Sequence, residues 1–231
     1  MVAVSLVIPT YNERDNISIL AEDIFAIFEK NNIDAELIIV DDNSPDGTGK
    51  IADELAKRYN ILVIHRSGKL GLSSAVLEGF KISKGFILGA MDADFSHPID
   101  AIPELLKPLL DNHAEISIGS RYISEGRIEN WPSIRRITSK GATLLAKPLT
   151  KVKDPMSGFF FIKKDVIFGK KLNPRGYKIA LEILVKGSYK NVVEVPIVFT
   201  NRKKGKSKLN LKEYLNFIFD LFGLYIYKIK H

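Results

Sequence analysis

The stretch Glu36-Leu37-Ile38-Ile39-Val40-Asp41-Asp42-Asn43-Ser44-Pro45-Asp46-Gly47-Thr48 decides the fold. Glu36–Val40 reads as a buried strand, short and aliphatic, and it ends in a polar run. An amphipathic stretch, Thr48–Tyr59, follows, with Asp46 placed to start a helix. The same unit repeats on either side. Ser5–Ile8, Ile61–Ile64, Phe86–Met91 and Ile116–Ile118 read as strands, and Asn16–Lys30, Ser74–Lys84 and Ile102–Leu110 as helices. Asn12 and Ser73 are further helix starts. Such alternation predicts an α/β fold with a mostly parallel central sheet flanked by helices. In sheets of this kind ligands bind beyond the carboxyl ends of the strands.

After Arg121 the alternation breaks. Tyr122–Pro132 reads as loop and Ser133–Leu149 as helix. Gly158–Ile162 and Val192–Phe199 read as strands around a helix at Ile179–Lys186. A basic loop, Asn201–Lys208, leads into an aromatic C-terminal segment. There Leu211, Leu215, Ile218, Phe222, Ile226 and Ile229 recur at helical spacing, and Phe217, Phe219, Leu221, Tyr225 and Tyr227 widen the apolar arc. The aromatic content, with Lys228 and Lys230 at the end, points to a helix lying on a bilayer or docking a membrane partner; an ordinary amphipathic core helix is the alternative. The expected organisation is one domain over 1–208 and a C-terminal amphipathic helix over 209–231.

The chain has 231 residues, no cysteine and a formal net charge of +7. Disulfides and Cys-type zinc sites are therefore excluded. The positive charge suits an anionic partner: nucleic acid, anionic lipid or a phosphorylated substrate. No secretory signal is legible in Met1–Ile8, and no stretch reaches the ~18 uncharged apolar residues expected of a spanning helix.

Polar clusters stand at the ends of successive strands: Pro9-Thr10-Tyr11-Asn12-Glu13, Asp41–Asp46 and Asp92-Ala93-Asp94. In an extended segment Asp92 and Asp94 face one way. Two carboxylates so placed repel unless a cation lies between them, and a hard divalent ion shared with substrate phosphates is the usual solution. The basic run Arg202–Lys208 reads as a mobile phosphate lid, a patch for lipid headgroups or a solvated hairpin.

The ordered set Val7–Glu13, Val40–Thr48, Met91–Asp94, Gly119-Ser120-Arg121-Tyr122 and Asp154-Pro155-Met156-Ser157-Gly158-Phe159 resembles glycosyltransferase family 2, and within it the dolichol-phosphate mannose synthases. The resemblance implies a GT-A-type fold and inverting transfer of mannose from GDP-mannose to a dolichyl or polyprenyl phosphate. It further implies that Pro9, Tyr11, Glu13, Val40 and Asp42 hold the nucleoside, while Asp92 and Ala93 line the nucleotide and sugar site. Asp94 would bind Mg²⁺ or Mn²⁺, with Ser96 a weaker second ligand where many relatives carry Gln. Arg121 would face a donor or acceptor phosphate, Arg202 and Lys208 would close over the diphosphate, and Arg135 and Ser139 would receive the lipid phosphate. A monoester acceptor is already anionic near neutral pH and needs positioning and charge neutralisation more than a strong base. Many relatives continue into spanning helices; in this chain the expected arrangement is peripheral, on the cytoplasmic face of a membrane, with a possible separate membrane-anchoring subunit and no nucleic acid partner.

Other readings are open at this stage. A phosphoacceptor module fits Asp41-Asp42 but not the strand–helix unit before it. A dinucleotide enzyme lacks the Gly-rich first turn. UDP-glucose as donor, or a catalytically idle sugar-nucleotide binder, fits the same motifs.

Overall fold

The computed structural model describes residues 2–173, 176, 178–201 and 211–230, with side chains in the last helix from 216 onward. A 7-stranded sheet, in the order β3-β2-β1-β4-β7-β5-β8, runs through the molecule. Its strands are β1 (Val4–Thr10), β2 (Ala35–Asp41), β3 (Ile61–His65), β4 (Ile87–Ala90), β5 (Ile116–Ser120), β7 (Phe160–Lys163) and β8 (Val192–Pro196). A second, 2-stranded sheet pairs β6 (Arg127–Ile128) with β9 (Val198–Phe199). Helices α1 (Arg14–Lys30), α2 (Thr48–Ala56), α3 (Leu72–Ile82), α4 (Ile102–Leu110), α5 (Ser133–Ala146), α6 (Ile179–Lys186) and α7 (Leu211–Lys230) cover it.

The mostly parallel α/β architecture expected from the alternation is present. β1 pairs in parallel with β2 and β4, β2 with β3, and β5 with β8. β7 alone runs antiparallel, inserted between β4 and β5. The aromatic run explains the insertion. Phe159, Phe160 and Phe161 are fully buried, each contributing on the order of 1.5–3 kcal/mol by leaving water. Phe161 lies over Gly89 of β4 so closely that a Cβ has no room there.

Two expectations need correcting. Val192–Phe199 is not one strand. It breaks at Ile197, whose amide donates to Ser120 O, and the chain passes from the main sheet to the small one. Helix starts also differ. α1 begins after Glu13, with Asn12 in the left-handed region at φ 55. α3 begins after Gly71, which leaves Ser73 inside its first turn. Asp46 does serve α2: its Oδ1 accepts from the Thr48 amide at 3.0 Å and the Thr48 hydroxyl at 2.6 Å.

α7 docks through Leu221 and Leu224 onto Ala146, Leu149, Met156 and Leu181. Its Tyr225 hydroxyl donates to Leu145 O at 2.6 Å, and Lys228 Nζ donates to Pro148 O at 2.8 Å. Among the described residues no helix is long and apolar enough to cross a membrane.

Candidate active site

The sheet order brings the carboxyl ends of β2, β1 and β4 side by side. Thr10 stands in register with Asp41, and Val7 with Ala90. The polar clusters after these strands therefore share one edge. Asp41 ties two of them together: it accepts from Thr10 Oγ1 at 3.0 Å and from the Ser44 amide at 2.9 Å. The Asn12 amide donates to Ser44 Oγ at 2.9 Å, and the Glu13 amide to Thr48 Oγ1 at 2.9 Å. Asp46 Oδ2 takes the Arg14 amide at 3.1 Å. Burial pulls the Asp46 carboxyl upward, but the Thr48 hydroxyl and the Thr48 and Arg14 amides outweigh it and hold the pKa below its ordinary value.

The residues expected around a nucleoside gather on this edge. Pro9 is half-buried at the end of β1. The Tyr11 ring lies 4.3 Å from Lys69 Nζ. Glu13, buried, accepts from Asn16 Nδ2 at 2.8 Å. Val40 is wholly within the core, so only its main chain is open to a ligand. Asp42 is committed inward: one oxygen pairs with Arg66 Nη1 and the other accepts the Gly71 amide at 2.9 Å. Arg66, which the sequence reading missed, also reaches Ser74 Oγ at 2.8 Å and Glu78 at 3.0 Å. It follows β3 directly, so the strand-end rule was the signal that could have found it.

Asp92 and Asp94 stand together at the end of β4, though not as an extended strand would place them. β4 ends at Ala90. Phe95 is left-handed at φ 58, and Asp94 Oδ1 accepts the Ser96 amide at 3.1 Å, closing a turn. Asp94, Ser96 and Ala93 are buried, while the Asp92 side chain is 34% exposed. His97 Nε2 lies 3.4 Å from Asp92 Oδ2 at an ion-pair distance without hydrogen-bond geometry. Its ring packs on Phe159 and Phe199 at 5.2 and 4.9 Å. Among the described residues no three His, Asp or Glu side chains gather around a common point. Two carboxylates on one turn are hard oxygen donors too few to enclose an ion. That donor set fits a divalent cation which completes its shell with phosphate oxygens and water.

A second group of cations faces this turn. Arg121, at the end of β5, is buried and bidentate on Asp154: Nε to Oδ2 and Nη2 to Oδ1, both at 2.7 Å. Burial lowers the guanidinium pKa, but Asp154 more than offsets it and the net shift is upward. Arg121 is expected to face a phosphate; Asp154 takes its Nε and Nη2 and fixes the plane of the guanidinium, with Nη1 outside that pair. On α5, the Arg135 guanidinium lies 4.0 Å over the Trp131 ring and donates to Asn201 Oδ1 at 3.2 Å. Ser139, one turn on, accepts from the Tyr122 hydroxyl at 2.9 Å. Trp131, Phe199 and Tyr122 each lie within 5.7 Å of Arg121. Arg202 and Lys208 lie outside the described residues.

The 154–158 loop binds the two halves. Asp154 holds Arg121, and Met156 O accepts from Lys178 Nζ at 3.4 Å. A Cβ at Gly158 would sit 3.2 Å from Asp92 Oδ2, so a larger residue there would push the carboxylate by a few tenths of an ångström. The sequence reading quoted this loop as a motif without assigning it a task, and it missed Lys178.

The family model described as glycosyl transferase family 2 matches residues 5–168. The chain belongs to glycosyl transferase family 2. A relative in this family, the dolichol-phosphate mannosyltransferase of Pyrococcus furiosus, is 45% identical over 227 residues, covering 94% of this chain and 63% of the relative. The chain thus spans less than two thirds of that protein. The dolichol-phosphate mannosyltransferase of Saccharomyces cerevisiae is 40% identical over 235 residues, covering 97% of this chain and 87% of the relative. Two solved glycosyltransferase structures have the same fold at low identity. Mannosyl-3-phosphoglycerate synthase from Rubrobacter xylanophilus aligns at a TM-score of 0.66 and 18% identity, covering 99% of this chain and 74% of that one. Glucosyl-3-phosphoglycerate synthase from Mycobacterium tuberculosis, in complex with Mn²⁺, UDP-glucose and glycerol 3-phosphate, aligns at 0.65 and 17%, covering 98% and 79%. The GT-A-type fold expected of a family 2 glycosyltransferase is therefore the fold of this chain.

Proposed function

We propose that this family 2 glycosyltransferase transfers mannose from GDP-mannose to a dolichyl or polyprenyl phosphate, with inversion at the anomeric carbon. One juxtaposition carries the reading. A two-carboxylate turn on the strand edge faces a cationic, Ser-bearing helix, and the Arg121–Asp154 pair joins them. The relatives' names agree with it.

In this reading Pro9, Tyr11, Glu13 and the main chain at Val40 receive the nucleoside. Asp42 acts through Arg66 and the Gly71 amide, fixing the wall of the site. Asp92 and Ala93 line the sugar. Asp94, with Ser96 beside it, would hold a divalent cation, Mg²⁺ or Mn²⁺. Such an ion supplies charge neutralisation at the departing diphosphate. Arg135 and Ser139 seat the acceptor phosphate. Arg121 keeps positive potential at the junction without moving, because Asp154 fixes both its plane and its distance. Arg202 and Lys208 are assigned to the diphosphate from the family pattern alone.

The reaction takes place at a membrane surface. On α5, Ile134, Ile137, Leu144 and Leu145 are exposed beside the half-buried Arg135 and the exposed Arg136 and Lys140. On α7, Ile218, Phe219, Phe222, Ile226 and Ile229 are exposed as well. Apolar side chains among lysines and arginines on neighbouring helices suit the headgroup–acyl boundary of an anionic bilayer. Residues 1–208 then carry the chemistry and 209–231 part of the membrane contact. The placement is peripheral, on the cytoplasmic face, with a separate anchoring subunit as companion.

The test is transfer of labelled sugar from GDP-mannose, and separately from UDP-glucose, to a short polyprenyl phosphate, with Mg²⁺, Mn²⁺ or EDTA. EDTA-sensitive labelling of the lipid from GDP-mannose alone is the expected result. Labelling from UDP-glucose alone would replace the donor, and labelling from neither would reject the function.

A further inference from the structure

The positive charge around α5 extends well past the acceptor seat. Between Trp131 and Lys153 the chain carries Arg135, Arg136, Lys140, Lys147, Lys151 and Lys153, with no Asp or Glu among them. The whole chain holds 27 acidic residues, so this is a segment of one sign. Three of its cations converge. Lys140, Thr143, Leu144 and Lys147 recur at i, i+3, i+4 and i+7, so they share one face of α5 and its C-cap. That face meets Tyr122 and Lys153 across a cavity of about 460 Å³, and no carboxylate lines it. The two carboxylates that adjoin the Lys153 backbone have other duties. Glu194 accepts the Lys153 and Asp154 amides at 2.9 and 3.0 Å, and Asp154 is bidentate on Arg121. Among the described residues none of the three ammonium groups has a hydrogen-bond or ion-pair partner. The floor is fixed from within: the Tyr122 hydroxyl donates to Ser139 Oγ at 2.9 Å and the Thr143 hydroxyl to Ser139 O at 3.0 Å. Both hydroxyl protons are thus spent inside the protein, and the ammonium groups are the side-chain donors left in the lining. Three like charges around one cavity repel, and an anion among them relieves the repulsion.

The surroundings select the anion. Leu144 lines the cavity and is exposed, as are Leu145 next to it and Ile137 one turn before Lys140. A free anion or an acidic protein chain would leave those side chains in water. A bilayer takes the phosphate at the level of the lysines and the apolar side chains just beneath it. We propose that the cavity between α5 and Lys153 binds the headgroup of an anionic glycerophospholipid of the bilayer, with Lys140, Lys147 and Lys153 around its phosphate. This rests on the membrane placement argued above and adds to it a defined site in place of a diffuse field. The site also sets the pose of the helix. Ser139, assigned to the acceptor phosphate, and Lys147 stand eight residues apart, about 12 Å along α5. A phosphate at each place, both in one headgroup plane, lays α5 flat on the surface and holds the acceptor seat at phosphate depth.

The test uses the full chain with Lys147→Gln and Lys153→Gln together. A charge-matched control carries Lys81→Gln and Lys107→Gln, in the last turns of α3 and α4. Binding is followed by flotation with phosphatidylcholine vesicles, with and without about one fifth phosphatidylserine. Wild type should bind the anionic vesicles. The Lys147/Lys153 variant should bind them about ten- to thirtyfold more weakly, and the control less than about threefold more weakly. Equal losses in the two variants would overturn the site in favour of a diffuse field, and no loss in the first would overturn it outright. Release of wild type by inorganic phosphate, but not by sodium chloride of equal ionic strength, would make the ligand a free anion and not a lipid. Transfer to a water-soluble short acceptor should stay within about twofold in the Lys147/Lys153 variant; a larger loss would move these lysines into the acceptor seat and overturn a separate headgroup site. Flotation needs no nucleotide sugar, so its outcome stands apart from that of the transfer assay. A wild type that transfers no sugar but shows the lysine-dependent binding rejects the function and keeps the site. A wild type that binds neither vesicle overturns the site and the membrane placement together.

Discussion

The two halves of the site are built on opposite principles. At the donor edge three carboxylates hold backbone amides, within a network of hydrogen bonds: Asp41 on Ser44, Asp46 on Thr48 and Arg14, Asp94 on Ser96. On the acceptor side α5 leaves Ile134, Ile137, Leu144 and Leu145 exposed, and its Arg135 leans on the Trp131 ring. The donor edge is preorganised by its own hydrogen bonds, whereas in the proposed function the acceptor side is half a site that a lipid surface would complete. Under the proposed function the contrast follows from the substrates: a nucleotide would arrive from water alone, and a polyprenyl phosphate with its bilayer.

Breaking the joint between the halves should cost most. Asp154→Ala leaves the buried Arg121 unpaired, and denaturant unfolding should show a loss of about 3–5 kcal/mol. Asp94→Asn strikes the donor edge alone. We expect kcat to fall about 10²–10³-fold with circular dichroism unchanged; full turnover in that variant would remove Asp94 from the site. The acceptor side should respond in a different quantity. Ile134→Glu with Ile137→Glu should weaken partition onto anionic vesicles about tenfold or more, while turnover of a water-soluble short acceptor stays within about twofold. A matching loss of turnover would mean that α5 shapes the site and does not merely present it to the membrane.

The smallest effect sharpens the donor side. Asp46→Ala should destabilise by about 1 kcal/mol, the typical value of a lost helix-cap contact. The folded pKa of Asp46 lies below its ordinary 3.8. Its contribution is therefore complete above that value and is lost as pH falls through the lower folded pKa. Acid titration of stability should be flatter in Asp46→Ala over that range.

The same contrast governs what the sequence made legible. The donor edge is written in short runs, because each cluster directly follows the strand that places it. Alternation of strands and helices therefore revealed both the sheet and the edge. The geometry of Asp92 and Asp94 was misjudged because strand alternation was extended past Ala90, where the Phe95 turn takes over. Arg66 went unnoticed because its partner Asp42 is 24 residues away. The acceptor side joins β5, α5, the 154–158 loop and α6, pieces far apart in the chain that no local pattern links. Only the family resemblance brought Arg135 and Ser139 forward, and nothing local pointed to Lys178.

The antiparallel insertion of β7 between β4 and β5 has a consequence for the nascent chain. Among the described strands β5 pairs only with β7 and β8, so after Ser120 is made it waits for Phe160–Lys163 before any neighbour exists. β4 has one open edge over the same interval. At a synthesis rate of about 5–20 residues per second, that interval lasts roughly 2–9 s. Throughout it both edges of β5 and one edge of β4 are open to other chains. The strand carrying Phe160 and Phe161 covers the β4 edge and one β5 edge in one step, leaving the other for β8, so β7 is the segment on which the yield of folded protein should depend most.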